Sequence, residues 1–108
     1  MTDSRIQVEV IGAPRVELFE PMEDGHVPAD IVVKVRIAGR VLPLMFQPDE
    51  DETVWVASED EGYEGTPGAW SWGMLWDEFG DDMATLDTTA ALAVAQDAYD
   101  VALAARGA

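Results

Sequence analysis

Residues 29–47 carry the clearest pattern in the chain. Ile31, Val33, Val35 and Ile37 alternate with Val32, Lys34 and Arg36, and Leu42, Leu44 and Phe46 resume the alternation beyond Gly39. Period two marks a half-buried strand, because successive side chains leave opposite faces of a sheet. The two arms predict a β-hairpin. A core on one face requires odd apolar positions of the first arm to meet even ones of the second. A Gly39-Arg40 turn does this, setting Ile37 opposite Leu42, Val35 opposite Leu44 and Val33 opposite Phe46, and glycine in its first central position suits type II′. A turn at Ala38-Gly39 keeps the same parity. Pro43 has no amide to donate, so its arm is expected at a sheet edge or with a bulge there.

The flanks extend the sheet. Residues 5–10 place Ile6, Val8 and Val10 on one face and Gln7 and Glu9 on the other, a first strand ended near Gly12 and Pro14. Residues 15–19, with Val16 and Leu18 around Glu17, read as a short second strand or the return of a hairpin. A polar loop over residues 22–28 holds the only histidine, His26. After the hairpin, Pro48, Asp49, Glu50, Asp51 and Glu52 form an acidic turn into a strand over residues 53–58. Val54 and Val56 share one face of that strand and Trp55 and Ala57 the other. A tryptophan opposite the valines predicts cover on both faces, as in an interior strand or an interaction surface. Glu59, Asp60, Glu61 and Glu64, interspersed with Gly62, Gly65, Pro67 and Gly68, read as an acidic loop.

The period then changes to that of helices. In residues 69–79, Trp72, Trp76 and Phe79 recur at helical spacing with Leu75 alongside, and Gly80 with Asp81 and Asp82 stops the run. Gly73 weakens this short helix by about 1 kcal/mol relative to alanine. Asp77, Glu78, Asp81 and Asp82 at its carboxyl end oppose the helix dipole. Residues 86–105 predict a long helix, capped by Asp87 or Thr88 and ended by Gly107. Leu92, Tyr99 and Leu103 form one apolar ridge of it, and Val94 and Val101 another. Ala91, Ala95, Ala98 and Ala102 lie between as a shallow valley, leaving a narrow polar face of Gln96, Asp97 and Asp100. So wide an apolar arc covers the sheet; the part of the alanine valley left over would suit a second subunit or a partner.

Strands first and helices later predict a single α+β domain over residues 1–108, strands mostly in 1–60 and helices in 69–106. The expected architecture is an antiparallel sheet of four to five strands, then the short aromatic helix, then the long C-terminal helix packed on one face. The 108 residues are 48% hydrophobic, which suffices for one core and argues against disorder. No apolar run approaches the ~20 residues of a membrane span. The first five residues lack the basic and apolar regions of a signal peptide, so a cytoplasmic protein, of the producing or a host cell, is expected.

Charge changes the picture most. Twenty-two acidic residues face six basic ones, for a net −16. Direct binding to nucleic acid or to an anionic membrane is therefore disfavoured. The acidity serves solubility or a salty cytoplasm, docks on a basic partner, or binds cations.

Catalytic chemistry lacks its parts. There is no cysteine, which excludes a disulfide framework and a thiolate metal site. Ser4, Ser58 and Ser71 lie in no nucleophile motif, and His26 stands without a recognisable partner. No glycine-rich loop carries a phosphate-binding lysine, and zinc would need sulfur or several imidazoles. Asp49, Asp51, Glu59, Asp60, Glu61, Glu64, Asp77, Asp81 and Asp82 offer hard oxygen ligands, and Asp77 and Asp81 stand a helical turn apart. None of them follows an EF-hand order. No cofactor is expected.

These observations predict a non-enzymatic binding protein. Its concrete form is an inhibitor or decoy occupying a basic partner: either an immunity-type protein, or a phage-type protein that blocks a nucleic-acid-binding enzyme by mimicking phosphate charge. The expected contacts are Asp49, Glu50, Asp51, Glu52, Glu59, Asp60, Glu61, Glu64 and Trp70, tryptophan supplying short-range energy and charge the encounter rate. Trp55 shares with Trp70 the expectation of exposure, whereas Trp72 and Trp76 are expected in the core. The alternatives are an accessory assembly protein, such as a virion component, that associates through its C-terminal helix, and an acidic cation-binding domain. A homodimer through Ala91, Ala95, Ala98 and Ala102 belongs to the first of these.

Overall fold

The computed structural model describes residues 6–57, 69–80 and 85–107. The elements are β1 (Ile6–Val10), β2 (Arg15–Leu18), β3 (Ala29–Ile37), β4 (Arg40–Pro48), β5 (Val54–Val56), α1 (Trp72–Phe79), β6 (Leu86–Asp87) and α2 (Thr89–Gly107). Among the described residues six strands form one sheet, in the order β5-β4-β3-β1-β6, with β2 also paired to β3. Every pairing is antiparallel except that of β1 with β6. The α+β architecture expected from the sequence is the one observed.

Parity organises the core. Ile6, Val8, Val10, Val16 and Leu18 share a sheet face with Ile31, Val33, Val35 and Ile37 of β3, with Leu42, Leu44 and Phe46 of β4, and with Val54 and Val56 of β5. Leu75 of α1 and Ala91, Ala95 and Tyr99 of α2 complete that cluster, so both helices cover this one face. Each fully buried Ile, Leu or Phe contributes about 1.5–3 kcal/mol. The opposite face exposes Gln7, Glu9, Arg15, Glu17, Lys34, Arg36, Val41 and Trp55. Arg36 pairs there with Glu9 at 3.2 Å.

β1 and β2 run along β3 as one strand with a kink, β1 also carrying β6 on its other side. Val8 to Val10 lie against Ile37 to Val35, and Arg15 to Leu18 against Val32 to Ala29. Between them four residues, 11–14, stand against two, 33–34, of β3. An even excess restores the side-chain parity, so Val16 returns to the face of Val8. The second strand is thus a continuation of the first along β3 rather than its hairpin return.

The organising hairpin forms, with its turn at Ala38-Gly39 instead of Gly39-Arg40. Ile37 opposes Arg40, Val35 opposes Leu42, Val33 opposes Leu44 and Ile31 opposes Phe46. Both turn residues have positive φ, 50° and 82°, as a type I′ turn requires. That turn matches the strand twist, which outweighs the cost of placing Ala38 in the left-handed region. Both registers keep the same faces, so the core is unaffected by the slide.

Pro43 sits where the missing donor costs least. The Trp70 amide donates to the Pro43 carbonyl at 2.8 Å, and the Met45 amide to the Trp70 carbonyl at 2.8 Å, on the side of β4 away from β3. β5 pairs farther along that side, with residues 46–48. β5 itself ends the strand order, so it is not the interior strand its tryptophan suggested.

The helices differ from expectation at their starts. α1 begins after Ser71, whose hydroxyl accepts the Met74 amide at 3.4 Å, and ends at Gly80 with φ 55°. Leu75, not Trp76, is its buried residue. Trp72, Leu75 and Phe79 form the inward side at helical steps of 100°, which turns Trp76 outward to 49% exposure. α2 begins at Thr89 because Leu86 and Asp87 pair with Ile6 and Gln7 as β6. The Asp87 carboxylate accepts the Thr89 amide at 3.1 Å, the capping role expected of it.

Candidate functional site

The turn between β4 and β5 is built by its own first carboxylate. Asp49 accepts the amides of Asp51 at 2.9 Å and Thr53 at 3.0 Å, and the Trp55 indole N–H at 2.9 Å. The Asp49 amide donates to the Thr53 carbonyl, and the Glu52 amide to the Asp49 carbonyl. These bonds to its charged form, the indole foremost, hold the Asp49 pKa below its ordinary value. Glu52 adopts a φ of 62°, which lets the chain reverse into β5.

Glu52 is committed elsewhere. Its carboxylate lies 3.1 Å from the Tyr99 hydroxyl and accepts the Val27 amide at 3.4 Å. The Tyr99 hydroxyl donates to the Val27 carbonyl at 2.5 Å. Burial, and then the Glu52 carboxylate, push the Tyr99 phenol above its ordinary pKa. Gln96 accepts the Val54 amide at 2.8 Å and donates to the Glu52 carbonyl at 3.1 Å. It keeps to the polar face expected for it, donating also to the Asp100 carboxylate at 3.1 Å, and fastens α2 to the turn. The result is a rigid mount: α2, the 22–28 loop and β5 all hold one acidic turn.

What the mount presents is Glu50, Asp51 and Trp55. All three are exposed, Trp55 to 55%. Beside them Pro21, Met22, Glu23, Asp24, His26 and Glu50 line an open groove of about 560 Å³. His26 pairs with Asp24, whose pKa is lowered first by the His26 backbone amide and then by the ring. His26 therefore has an acidic partner that its sequence setting did not reveal. Met22, at 53% exposure, gives the groove an apolar wall.

The expected contacts therefore divide. Glu50 and Asp51 are displayed; Asp49 and Glu52 are spent on holding the turn. Trp70 lies apart from the turn, half-buried against the core along β4, with the Arg40 guanidinium 5.5 Å from its ring centroid. Arg40 also pairs with Glu78 of α1. Glu59, Asp60, Glu61 and Glu64 lie outside the described residues, as do Asp81 and Asp82. Trp55 is the exposed aromatic beside the turn that the expected contacts left out, although its alternation with Val54 and Val56 already placed it away from the core.

As a cation site the turn fits poorly, because N–H donors occupy the Asp49 carboxylate. Among the described residues no three acidic or imidazole groups converge on one point. Of the alanine valley, Ala91 and Ala95 are 0% exposed against the chain's own sheet and are closed to a second subunit; Ala98 and Ala102 stay half-buried. No helix among the described residues is long and apolar enough to cross a membrane. Compared with protein-family models, curated proteins and solved structures, the chain matches none of them.

Proposed function

We propose that the protein is a non-enzymatic binding protein that seats its acidic turn on a basic protein surface, as an inhibitor or decoy acting by occlusion. The observation that carries this reading is Trp55: an exposed tryptophan of β5, fixed by Asp49 beside a turn whose outer carboxylates have no ion-pair partner among the described residues. Holding the indole in place beforehand lowers the entropy lost on contact, and an aromatic anchor ringed by charge is the usual anatomy of an interface hot spot. Glu23, Glu50 and Asp51 attract lysines and arginines at long range, which raises the rate of encounter. A nucleic-acid-binding enzyme is the partner class whose own basic cleft suits such a surface.

The test is capture from a lysate at low salt, release at high salt, identification of the captured protein, and competition for it with duplex DNA. The triple variant Glu23→Lys, Glu50→Lys, Asp51→Lys and the single Trp55→Ala should each weaken binding about tenfold or more while leaving the circular dichroism unchanged. A partner that neither variant affects, or none at either salt, removes the proposal.

A further inference from the structure

A second surface lies at the β2 edge. β2 joins only β3, and its outer side meets no strand among the described residues. The Phe19 amide donates to the Pro28 carbonyl at 2.9 Å along that ladder. Amide direction alternates in an antiparallel pair. Arg15 and Glu17 therefore also bond toward β3, and Val16 and Leu18 aim their N–H and C=O groups outward. Such an edge is a template for another strand.

An apolar groove adjoins it. Pro14 from the joint between β1 and β2 and Val16 from β2, with Val94, Ala98, Val101 and Ala102 from α2, line about 540 Å³ of open space. Asp97 is the one charged side chain among the described residues of its wall. Val101 is 69% exposed, although it belongs to an apolar ridge of the helix.

We propose that a second copy of this chain occupies this edge, the two β2 strands pairing antiparallel about a twofold axis through Val16. Each Val16 then exchanges backbone hydrogen bonds with its counterpart, and Arg15 of each copy lies opposite Glu17 of the other. Both side chains are exposed on the face away from the helices, and neither has an ion-pair partner among the described residues. Positions flanking a hydrogen-bonded pair bring side chains closest, so this complementarity selects the register. Sliding so that Val16 meets Leu18 would set Glu17 against Glu17, which is unfavourable. The two α2 helices approach on the covered face, where Ala98 and Ala102 leave room for the neighbour's Val101. The contact is isologous and closes on itself. Asp97 and the net charge oppose it.

Sedimentation velocity on the full chain, from micromolar to submillimolar concentration, tests the proposal. The wild type should dimerise, more tightly as sodium chloride screens the net charge. Arg15→Glu and Glu17→Arg should each weaken the dimer about tenfold or more, and an equimolar mixture of the two should restore it, because each supplies the charge that the other lacks. Asp97→Asn should tighten it and Val101→Glu should dissociate it, with circular dichroism reporting that each variant is folded. A wild type that stays monomeric throughout overturns the proposal. So does a dimer that both charge reversals leave intact, or a monomer that takes up a basic extended peptide at this edge instead.

Discussion

Asp49 shows how one residue can set the pH range of a surface. Its folded pKa is lowered by three N–H donors, so the stability it contributes is present above its unfolded pKa of about 3.9 and is lost as pH falls toward the folded value. Urea midpoints of the wild type should therefore drop more steeply between about pH 5 and pH 3 than those of Asp49→Asn, which has no charge to lose. The difference in emission between the wild type and Trp55→Phe isolates the Trp55 indole, which reports the same bond. Parallel pH profiles for the two proteins would contradict the role assigned to Asp49. This division of labour was not legible in the sequence. Asp49, Glu50, Asp51 and Glu52 are alike in composition, and only the backbone path decides which carboxylates meet amides and which meet solvent.

At the scale of elements, parity was legible and phase was not. The alternation in residues 29–47 fixes which side chains face the core, and that expectation is met throughout the hairpin. A slide of two residues changes no face, so hydrophobicity cannot distinguish the Ala38-Gly39 turn from its neighbour. The choice rests on backbone twist. Since Ala38 holds a φ of 50°, Ala38→Asn should raise stability by about 0.5–1 kcal/mol, read as a higher urea midpoint at unchanged slope. A destabilised variant would refute the type I′ assignment. The aromatic helix illustrates the same limit: Trp72, Trp76 and Phe79 read as one side, and so do Trp72, Leu75 and Phe79. The structure buries the second set. β6 carries too few residues for any periodicity, and its pairing with β1 depends on where the whole sheet leaves an open edge.

The whole molecule is strongly acidic yet unevenly so. Three of its six basic residues, Arg15, Lys34 and Arg36, stand on the sheet face turned away from the helices, which Trp55 shares, whereas no Lys or Arg is among the described residues lining the acidic groove. Self-repulsion at a net −16 destabilises the compact state and is screened by salt. The melting temperature should therefore rise as sodium chloride is added, and calcium chloride at matched ionic strength should raise it equally. An excess effect of calcium would instead reveal a specific cation site. Either result bears on why so many carboxylates are carried, which composition alone leaves open.

The joint between β1 and β2 has a consequence for inheritance. Its four residues face two on β3, and the surplus is even. Losing a single codon from residues 11–14 would turn Val16 and Leu18 to solvent and drive Arg15 and Glu17 into the core. Losing two adjacent codons would only straighten the edge. Length variation at this joint is therefore tolerable in steps of two, so descendants of this gene should lengthen or shorten there by pairs of residues.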